Sequence, residues 1–258
     1  MMTVAEEMRF MRLCHEELSR VKVRDGIGLL AEKRLHGLLK RWVLDDEACH
    51  EQKVTTAAGQ KTRYVADIMT PAGEIFEIQT GDLYPLKKKI DFYMQKTDLS
   101  VTVVHPLIAE KWISWMDPAT GEVTERRRSP RRDGPLSPLT QLKPFADLLG
   151  SPRFSLCFPV IAFDEYRLRD GWGRQQKRGS HRYELIPMAL TDVRRFAAKE
   201  DYVALFPADA PAAFTAAEFG RLTHLTGYDL YDVLFVFEAL GVIEKSGTRG
   251  RAALYRRT

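Results

Sequence analysis

Apolar residues recur at helical spacing near the start of the chain. Between residues 3 and 20 they are loosely spaced with charged residues between them, which predicts a short helix. A clearer helix is predicted after Asp25, because Asp is a favoured N-cap residue and the next apolar positions form one stripe. That stripe comprises Ile27, Leu30, Leu35, Leu38, Leu39 and Trp42.

Beyond these helices the pattern changes to one typical of strands. Strands are predicted at residues 47–56, 62–70 and 74–80, with Thr70-Pro71-Ala72-Gly73 as the turn between the last two. A helix over 83–95 and a Val-rich buried strand over 99–104 follow. The later pattern predicts a hairpin turn at 117–121, loops at 126–138 and 169–183, a strand at 154–166, and helices at 142–149 and 191–200.

The last part of the chain has its own order of elements. Thr215-Ala-Ala-Glu218 is a capping box that predicts a helix, and a turn through His224–Gly227 leads to a second helix over Tyr228–Leu240. Two short strands follow, and the set resembles a winged helix-turn-helix over residues 213–257. The second helix contains acids but no Lys or Arg, so we expect it to pack on protein rather than read a DNA groove. Arg249 and Arg251, in the predicted wing, are the candidates for phosphate contact.

Composition and charge narrow the class of protein. The chain has 39 Lys and Arg against 35 Asp and Glu, a net charge of +4 that allows a nucleic-acid partner without requiring one. No apolar run approaches the roughly 18 residues of a membrane span, and the charged N-terminus is unlike a signal peptide. The three widely separated cysteines predict neither a disulfide framework nor a zinc site and fit a reducing cytoplasm.

The predicted hairpin at residues 62–80 brings two carboxylates together. With Thr70 opposite Glu74, each step back along one strand matches a step forward along the other, so Asp67 lies across from Glu77 and Gln79 shares the face of Glu77. Opposed carboxylates repel each other unless something neutralises them. A divalent cation is one explanation, since Mg²⁺ and Mn²⁺ prefer oxygen ligands. Salt bridges from Asp67 to Arg63 or Lys61 are the other.

The ordered elements around these carboxylates resemble the PD-(D/E)XK nuclease superfamily over residues 20–120. That family has a helix bearing a Glu, then a hairpin with Asp on one strand and Glu-x-Lys on the next; this chain has Glu32, Asp67 and Glu77-Ile78-Gln79. The resemblance implies an α/β fold with a restriction-endonuclease-like mixed sheet flanked by helices, followed here by a small C-terminal winged-helix domain. It also implies hydrolysis of DNA, with Mg²⁺ or Mn²⁺ held by Asp67, Glu77 and the Ile78 carbonyl. Glu32 would act through a second metal or a water ligand.

Gln79 departs from the family pattern, which more often has Lys at that position. Lys87 or Lys88, on the helix predicted next, could supply the missing ammonium from another backbone position. Alternatively, the fold is kept for nucleic-acid binding or regulation and the chemistry is lost. No pair of histidines has zinc-site spacing, and His50 and His105 are better explained as ordinary packed residues than as ligands.

These observations divide the chain into three regions. Residues 1–130 form the nuclease-like domain, 131–207 a connecting region that packs on the core, and 208–258 the C-terminal domain. An arginine cluster near the first boundary either contacts phosphates or is a solvated charge run. It comprises Arg126, Arg127, Arg128, Arg131 and Arg132. DNA is the expected partner, and a homodimer through Leu234 and Phe237 of the C-terminal helix is a further possibility.

Overall fold

The computed structural model describes residues 2–20, 29–169 and 180–258, with backbone only for residues 17–20, 29–33 and 181. The helices are α1 Val4–Arg20, α2 Leu29–Val43, α3 Lys87–Lys96, α4 Lys199–Val203, α5 Ala216–Thr223 and α6 Gly227–Ala239. The strands before residue 130 are β1 His50–Thr55, β2 Lys61–Met69, β3 Glu74–Ile78, β4 Ser100–Val104, β5 Leu107–Met116 and β6 Arg127–Arg128. The later strands are β7 Phe154–Leu168, β8 His181–Phe196, β9 Ala213–Thr215, β10 Ile243–Arg249 and β11 Ala252–Arg257.

The first eight strands form one mixed sheet around β7. β1, β2 and β3 pair antiparallel, and β3 then pairs parallel with β4. β8 covers one edge of β7 from Leu156 to Leu168, while β4 and β5 both run parallel to β7. β4 and β5 therefore lie end to end along the other edge of β7, separated by His105-Pro106. Proline has no amide hydrogen, which suits it to this break in the ladder.

Helices cover both faces of this sheet. On one face, apolar residues of α1 and α2, including Phe10, Leu39 and Trp42, pack against Ile78 and Val104. On the other face, α3 and the turns at Ser137–Gln141 and Lys143–Phe145 bury a second cluster that continues into the C-terminal unit. The burial of both faces explains why β4 and β7 are nearly continuous apolar runs. The α/β class with a mixed sheet flanked by helices is confirmed.

The C-terminal unit has a three-stranded sheet in the order β10-β11-β9, with α5 and α6 between its strands in sequence. The capping box is confirmed, since the Thr215 hydroxyl accepts from the Glu218 amide and the Glu218 carboxylate accepts from the Thr215 amide. α6 packs on the two turns at 137–145, and its Leu234 and Phe237 are fully buried inside the chain. The expectation that this helix packs on protein is therefore confirmed. The winged-helix assignment itself stays a prediction.

The structure differs from the sequence-based expectations in the middle of the chain. The predicted helix over 191–200 is wrong, because residues up to Phe196 continue β8. The long ladder with β7 satisfies that backbone and buries Leu190, Val193 and Phe196, which outweighs a local helical pattern. The predicted helix at 142–149 is also wrong, since short 3₁₀ turns take its place. The segment 131–207, expected to pack on the core, supplies β7 and β8 to the sheet itself.

Further expectations from the sequence concerned the cysteines and membrane-spanning helices. Cys14, Cys49 and Cys157 are not joined in a disulfide in the described part of the chain, and all three are buried. Within the described ranges, no helix combines the length and apolar character needed to cross a bilayer. Asp25, the predicted cap of the second helix, and most of the predicted loop at 169–183 lie outside the described residues.

Candidate functional site

The predicted hairpin register is confirmed, and the two strands separate where the carboxylates begin. Ile68 pairs with Phe76 and Met69 with Ile75, which is the register that sets Asp67 across from Glu77. The backbone ladder ends at Ile68. Two residues beyond Phe76, the Ile78 amide donates to Asp67 Oδ2 at 2.7 Å instead of to the β2 backbone. The Asp67 side chain therefore occupies the fork between β2 and β3.

Asp67 is held from the α2 side by a histidine that the sequence analysis did not select. His36 Nε2 lies 3.2 Å from Asp67 Oδ2. Burial raises the pKa of the Asp67 carboxyl, but the hydrogen bonds from His36 and the Ile78 amide outweigh it, so this pKa lies below its usual range. The structure pairs Asp67 with His36 rather than with Arg63 or Lys61, the salt-bridge partners considered from the sequence. Asp67 is poised to be ionised at neutral pH.

Glu77 lies on the same hairpin, but its pKa is raised whereas that of Asp67 is lowered. Its side chain is 1% exposed, with Oε2 accepting from Lys89 Nζ at 2.6 Å and Oε1 from the Tyr93 hydroxyl at 3.0 Å. Burial raises the pKa of Glu77 to about 7; the Lys89 charge opposes this and the Asp67 charge adds to it. The two opposed carboxylates thus differ in their protonation at neutral pH.

The lysine at this hairpin is Lys89, rather than Lys87 or Lys88. Lys89 and Tyr93 are four residues apart on α3 and therefore share one face, which is the face turned toward Glu77. Lys87 Nζ instead contacts Asp91 at 2.7 Å and Asp147 at 2.9 Å, and Lys88 is exposed. The Lys89-x₃-Tyr93 spacing was the sequence signal for this pair, but it indicates a contact only once the packing of α3 on β3 is known.

Gln79, at the position where a lysine was expected, makes its contacts away from the two carboxylates. Its side-chain amide donates to the Asp82 carbonyl at 2.6 Å, and its own carbonyl lies 2.7 Å from His105 Nδ1. His105 is buried at the break between β4 and β5, with Gln141 on its other side at 3.4 Å. Burial lowers the pKa of His105. The hydrogen bond between Gln79 and His105 therefore joins the residue that follows β3 to the residue that follows β4.

The donor set at the hairpin suits a hard divalent cation. Asp67 Oδ2 already accepts from both His36 and the Ile78 amide, which leaves Asp67 Oδ1 without a hydrogen bond among the described residues, and each Glu77 oxygen keeps a lone pair after accepting one hydrogen bond. Within the described residues, no group of three or more His, Cys, Asp or Glu side chains is placed to hold a metal. A cation would thus depend on these two carboxylates and backbone oxygen. The side chain of Glu32, the third predicted carboxylate, lies outside the described residues.

Most arginines of the predicted phosphate cluster contact the protein itself. Arg126 donates through Nε to Asp164 at 2.8 Å and lies 4.7 Å over the Trp112 ring. Arg128 pairs with Glu110 at 3.2 Å. Arg127 lies over Trp115 at 5.9 Å. These contacts fix the β5–β6 hairpin and leave the side chains partly exposed.

The other predicted arginines divide into paired and unpaired groups. In the C-terminal sheet, Arg249 pairs with Glu218 at 2.7 Å, which ties the hairpin tip to the capping box of α5. For Arg131 and Arg251, the described part of the chain offers no carboxylate within salt-bridge distance, and both are exposed. Arg131 and Arg251, together with Arg132 of the same cluster, are therefore exposed and have no carboxylate partner among the described residues, unlike Arg126, Arg128 and Arg249.

Fold and site together define an α/β protein that carries a carboxylate pair and a lysine where the β2–β3 hairpin opens. Residues 33–197 match the family described as Domain of unknown function (DUF8091), and the chain belongs to this family. It matches no curated protein and no solved structure. The matched range includes His36, Asp67, Glu77 and Lys89 and ends just after β8, so the candidate site lies inside the family domain.

Proposed function

We propose that this protein is a metal-dependent nuclease of the PD-(D/E)XK type that hydrolyses phosphodiester bonds of DNA. The observation that carries the proposal is the 2.6 Å contact between Lys89 and Glu77 beside Asp67. A Glu-x-Gln strand lacks the ammonium of Glu-x-Lys, and Lys89 supplies one to the same carboxylate pair from α3. The resemblance in element order supports the same reading.

In this proposal, Asp67, Glu77 and the Ile78 carbonyl hold Mg²⁺ or Mn²⁺. The bound metal would lower the pKa of a water and neutralise charge on the scissile phosphate. Lys89 stabilises negative charge on that phosphate, because an ammonium beside the carboxylates is already desolvated and oriented. His36 is a positioning residue, since it holds Asp67 at the fork. Tyr93 does the same for Glu77.

The raised pKa of Glu77 gives this proposal a pH signature. A carboxyl with a pKa of about 7 is partly protonated at neutral pH, and a metal ligand must be deprotonated. Metal binding should therefore release a proton and tighten as the pH rises from 6 to 8.

A second candidate is a non-catalytic DNA-binding or regulatory protein that retains a nuclease-like fold. The observation in its favour is that Glu77 is 1% exposed and both of its oxygens already accept hydrogen bonds from Lys89 and Tyr93. In that case Lys89 permanently neutralises the charge that a metal would otherwise neutralise.

Mn²⁺ calorimetry on the full chain separates the two candidates. Asp67→Asn and Glu77→Gln should each abolish most Mn²⁺ binding and all cleavage of a labelled DNA. Glu74→Gln, which changes an exposed carboxylate of the same hairpin, is the matched control and should bind Mn²⁺ like the unchanged protein. Equal Mn²⁺ binding by Asp67→Asn, or no binding by the unchanged protein at pH 8, would reject the nuclease and favour the second candidate.

The remaining expectations belong to the same proposal. DNA is the partner, with Arg131, Arg132 and Arg251 as the phosphate contacts that have no carboxylate partner among the described residues, and the cytoplasm is the location, where thiols stay reduced. By its order of elements the C-terminal unit resembles a winged helix and would assist binding through its β10–β11 hairpin. A homodimer through Leu234 and Phe237 is not part of the proposal, because both are buried within the chain.

A further inference from the structure

A cleft of about 1080 Å³ lies between the main sheet and the C-terminal unit. One wall is formed by Gly81 and Asp82, which follow β3, and by His105 and Pro106, which follow β4. Asp229 and Asp232 of α6 also line the cleft. Because β3 and β4 are parallel neighbours, the cleft lies at their carboxyl ends, where open α/β sheets bind ligands.

The basic residues of the cleft are more available than its acids. Arg131 and Arg132 are exposed, and among the described residues no carboxylate pairs with either. Arg182 is also exposed and lies 3.7 Å from the buried Glu165. Lys143 pairs with Asp232 at 3.0 Å. The cleft thus presents exposed guanidinium groups to an anion.

The acids of the cleft serve mainly the protein's own backbone and side chains. Asp82 accepts from the Tyr84 amide at 2.9 Å, and Asp133 accepts from the Ile108 amide at 2.6 Å. Asp232 pairs with Lys143, and Asp229 is exposed on α6. Of these four acids, Asp229 is therefore the one without a hydrogen-bond or ion-pair partner among the described residues.

Exposed aromatic side chains lie in this cleft and on α6, the helix that borders it. Four of the aromatic side chains in the described residues are exposed: Tyr84, Tyr228, Tyr231 and Phe235. Tyr84 lines the cleft, at 69% exposure. The other three follow one another along α6 at spacings of three and four residues, which places them in one stripe, and Asp229 and Asp232 of the same helix line the cleft. Phe235 touches the cleft through Lys143, whose ammonium lies 5.4 Å from the ring centroid.

We propose that this cleft and the aromatic stripe bind a single strand of DNA, with the backbone on the arginine side and the bases on the aromatic side. A groove with cations for phosphates and aromatic rings for bases is the general arrangement for single-stranded nucleic acid. The acids of α6 repel phosphates, which directs the backbone to Arg131 and Arg132 and the bases to Tyr228 and Tyr231. In a duplex the bases are stacked inside and cannot reach these rings.

The inference names the substrate class of the proposed nuclease, but binding can be measured without cleavage. Fluorescence anisotropy of the full chain in EDTA compares a labelled 12-nucleotide single strand with the duplex of the same sequence. We expect the single strand to bind on the order of tenfold more tightly, and Tyr228→Ala with Tyr231→Ala to weaken it about tenfold or more per ring. Tyr→Phe at both positions should retain binding. Met188→Ala, an exposed apolar residue on β8, is the control.

Salt dependence tests the arginine side separately. Replacing Arg131 and Arg132 with Ala should reduce the slope of log K against log salt by about 0.7 for each lost single-strand phosphate contact. Replacing Lys61 and Arg63, exposed cations of β2 outside the cleft, should leave the slope unchanged.

Three results would overturn the inference. They are equal or tighter binding of the duplex, unchanged single-strand binding in the tyrosine variants, and a dimer that Tyr228→Ala with Tyr231→Ala converts to monomer. The last would identify the stripe as an interface with a second copy. Intact single-strand binding without Mn²⁺-dependent cleavage would reject the nuclease alone, and cleavage of duplex only would reject this inference alone.

Discussion

The Lys89 ammonium and the Glu77 carboxylate lie 2.6 Å apart, and they join α3 to the strand that carries the proposed metal ligand. The Lys89 side chain is 22% exposed, whereas that of Glu77 is 1% exposed. One end of the ion pair can thus meet an incoming anion while the other is buried. A carboxylate shielded from water therefore lies next to a cation that solvent can reach.

Lys89→Gln should reduce DNA cleavage on the order of 10²-fold, because it removes the ammonium beside the scissile phosphate. Lys87→Gln tests the position expected from the sequence, and it should cleave within about twofold of the unchanged protein since Lys87 pairs with Asp91 and Asp147. Lys96→Gln, at the end of the same helix, is the control. Cleavage rates with saturating Mn²⁺ provide the measurement. A full rate from Lys89→Gln together with a loss from Lys87→Gln would reverse the assignment.

The pKa of Glu77 predicts that the protein loses stability as the pH rises. The folded-state pKa of about 7 lies above the ordinary value of 4.5, so the folded protein binds more protons than the unfolded chain between these limits. The contribution is fully present below pH 4.5 and is lost as the pH approaches 7 and above; it amounts to roughly 3 kcal/mol. Urea unfolding at pH 5 and pH 8 measures it. Glu77→Gln should remove most of that difference, and an unchanged difference in this variant would assign it to other groups.

A buried ion pair elsewhere in the sheet gives a stability prediction that is independent of function. Lys111 Nζ lies 2.5 Å from Glu165, and both residues are buried. Glu165→Gln should cost about 3–5 kcal/mol, because it leaves a buried ammonium without its counter-ion. Asp164→Asn, on the adjacent residue and paired with the half-exposed Arg126, should cost at most about 1 kcal/mol.

A double variant completes this comparison. Lys111→Met with Glu165→Met replaces both charges by apolar groups of similar size, so it should recover much of the stability lost in Glu165→Gln. Chemical denaturation of all variants measures the coupling. Additive losses in the double variant would show that the two side chains act independently.

Gly220 should resist substitution although it lies in a helix. A Cβ at this position would lie 2.9 Å from the Leu225 carbonyl oxygen and 3.1 Å from Leu230 Cδ2, where α5 approaches the start of α6. We expect Gly220→Ala to destabilise by about 1–3 kcal/mol, because this clash exceeds the gain in helix propensity. Gly37→Ala in α2, which meets nothing within 4 Å, should instead stabilise by up to about 1 kcal/mol. Thermal unfolding of the two variants gives the sign of each effect.

The hairpin could be predicted from the sequence because its determinants are local. Gly73 adopts φ +82°, a conformation that favours glycine, and it closes the turn at the predicted place. Once that turn is set, strand pairing alone determines which residues face each other, so Asp67 and Glu77 were brought together correctly. The prediction of a helix over residues 191–200 was wrong for the opposite reason. Its local pattern favoured a helix, but the distant strand β7 determined its conformation.

The sequence by itself determined the α/β class, the carboxylate hairpin and the packing role of the acidic, apolar α6. Each of these depends on residue type and on spacing within one element or one turn. Only the tertiary structure decided that Lys89 rather than Lys87 contacts Glu77, that His36 holds Asp67, and that Tyr84 and α6 border one cleft with Arg131 and Arg132. These contacts depend on how helices are rotated and placed on the sheet. That placement is set by the summed burial of both apolar clusters, and no single segment encodes it.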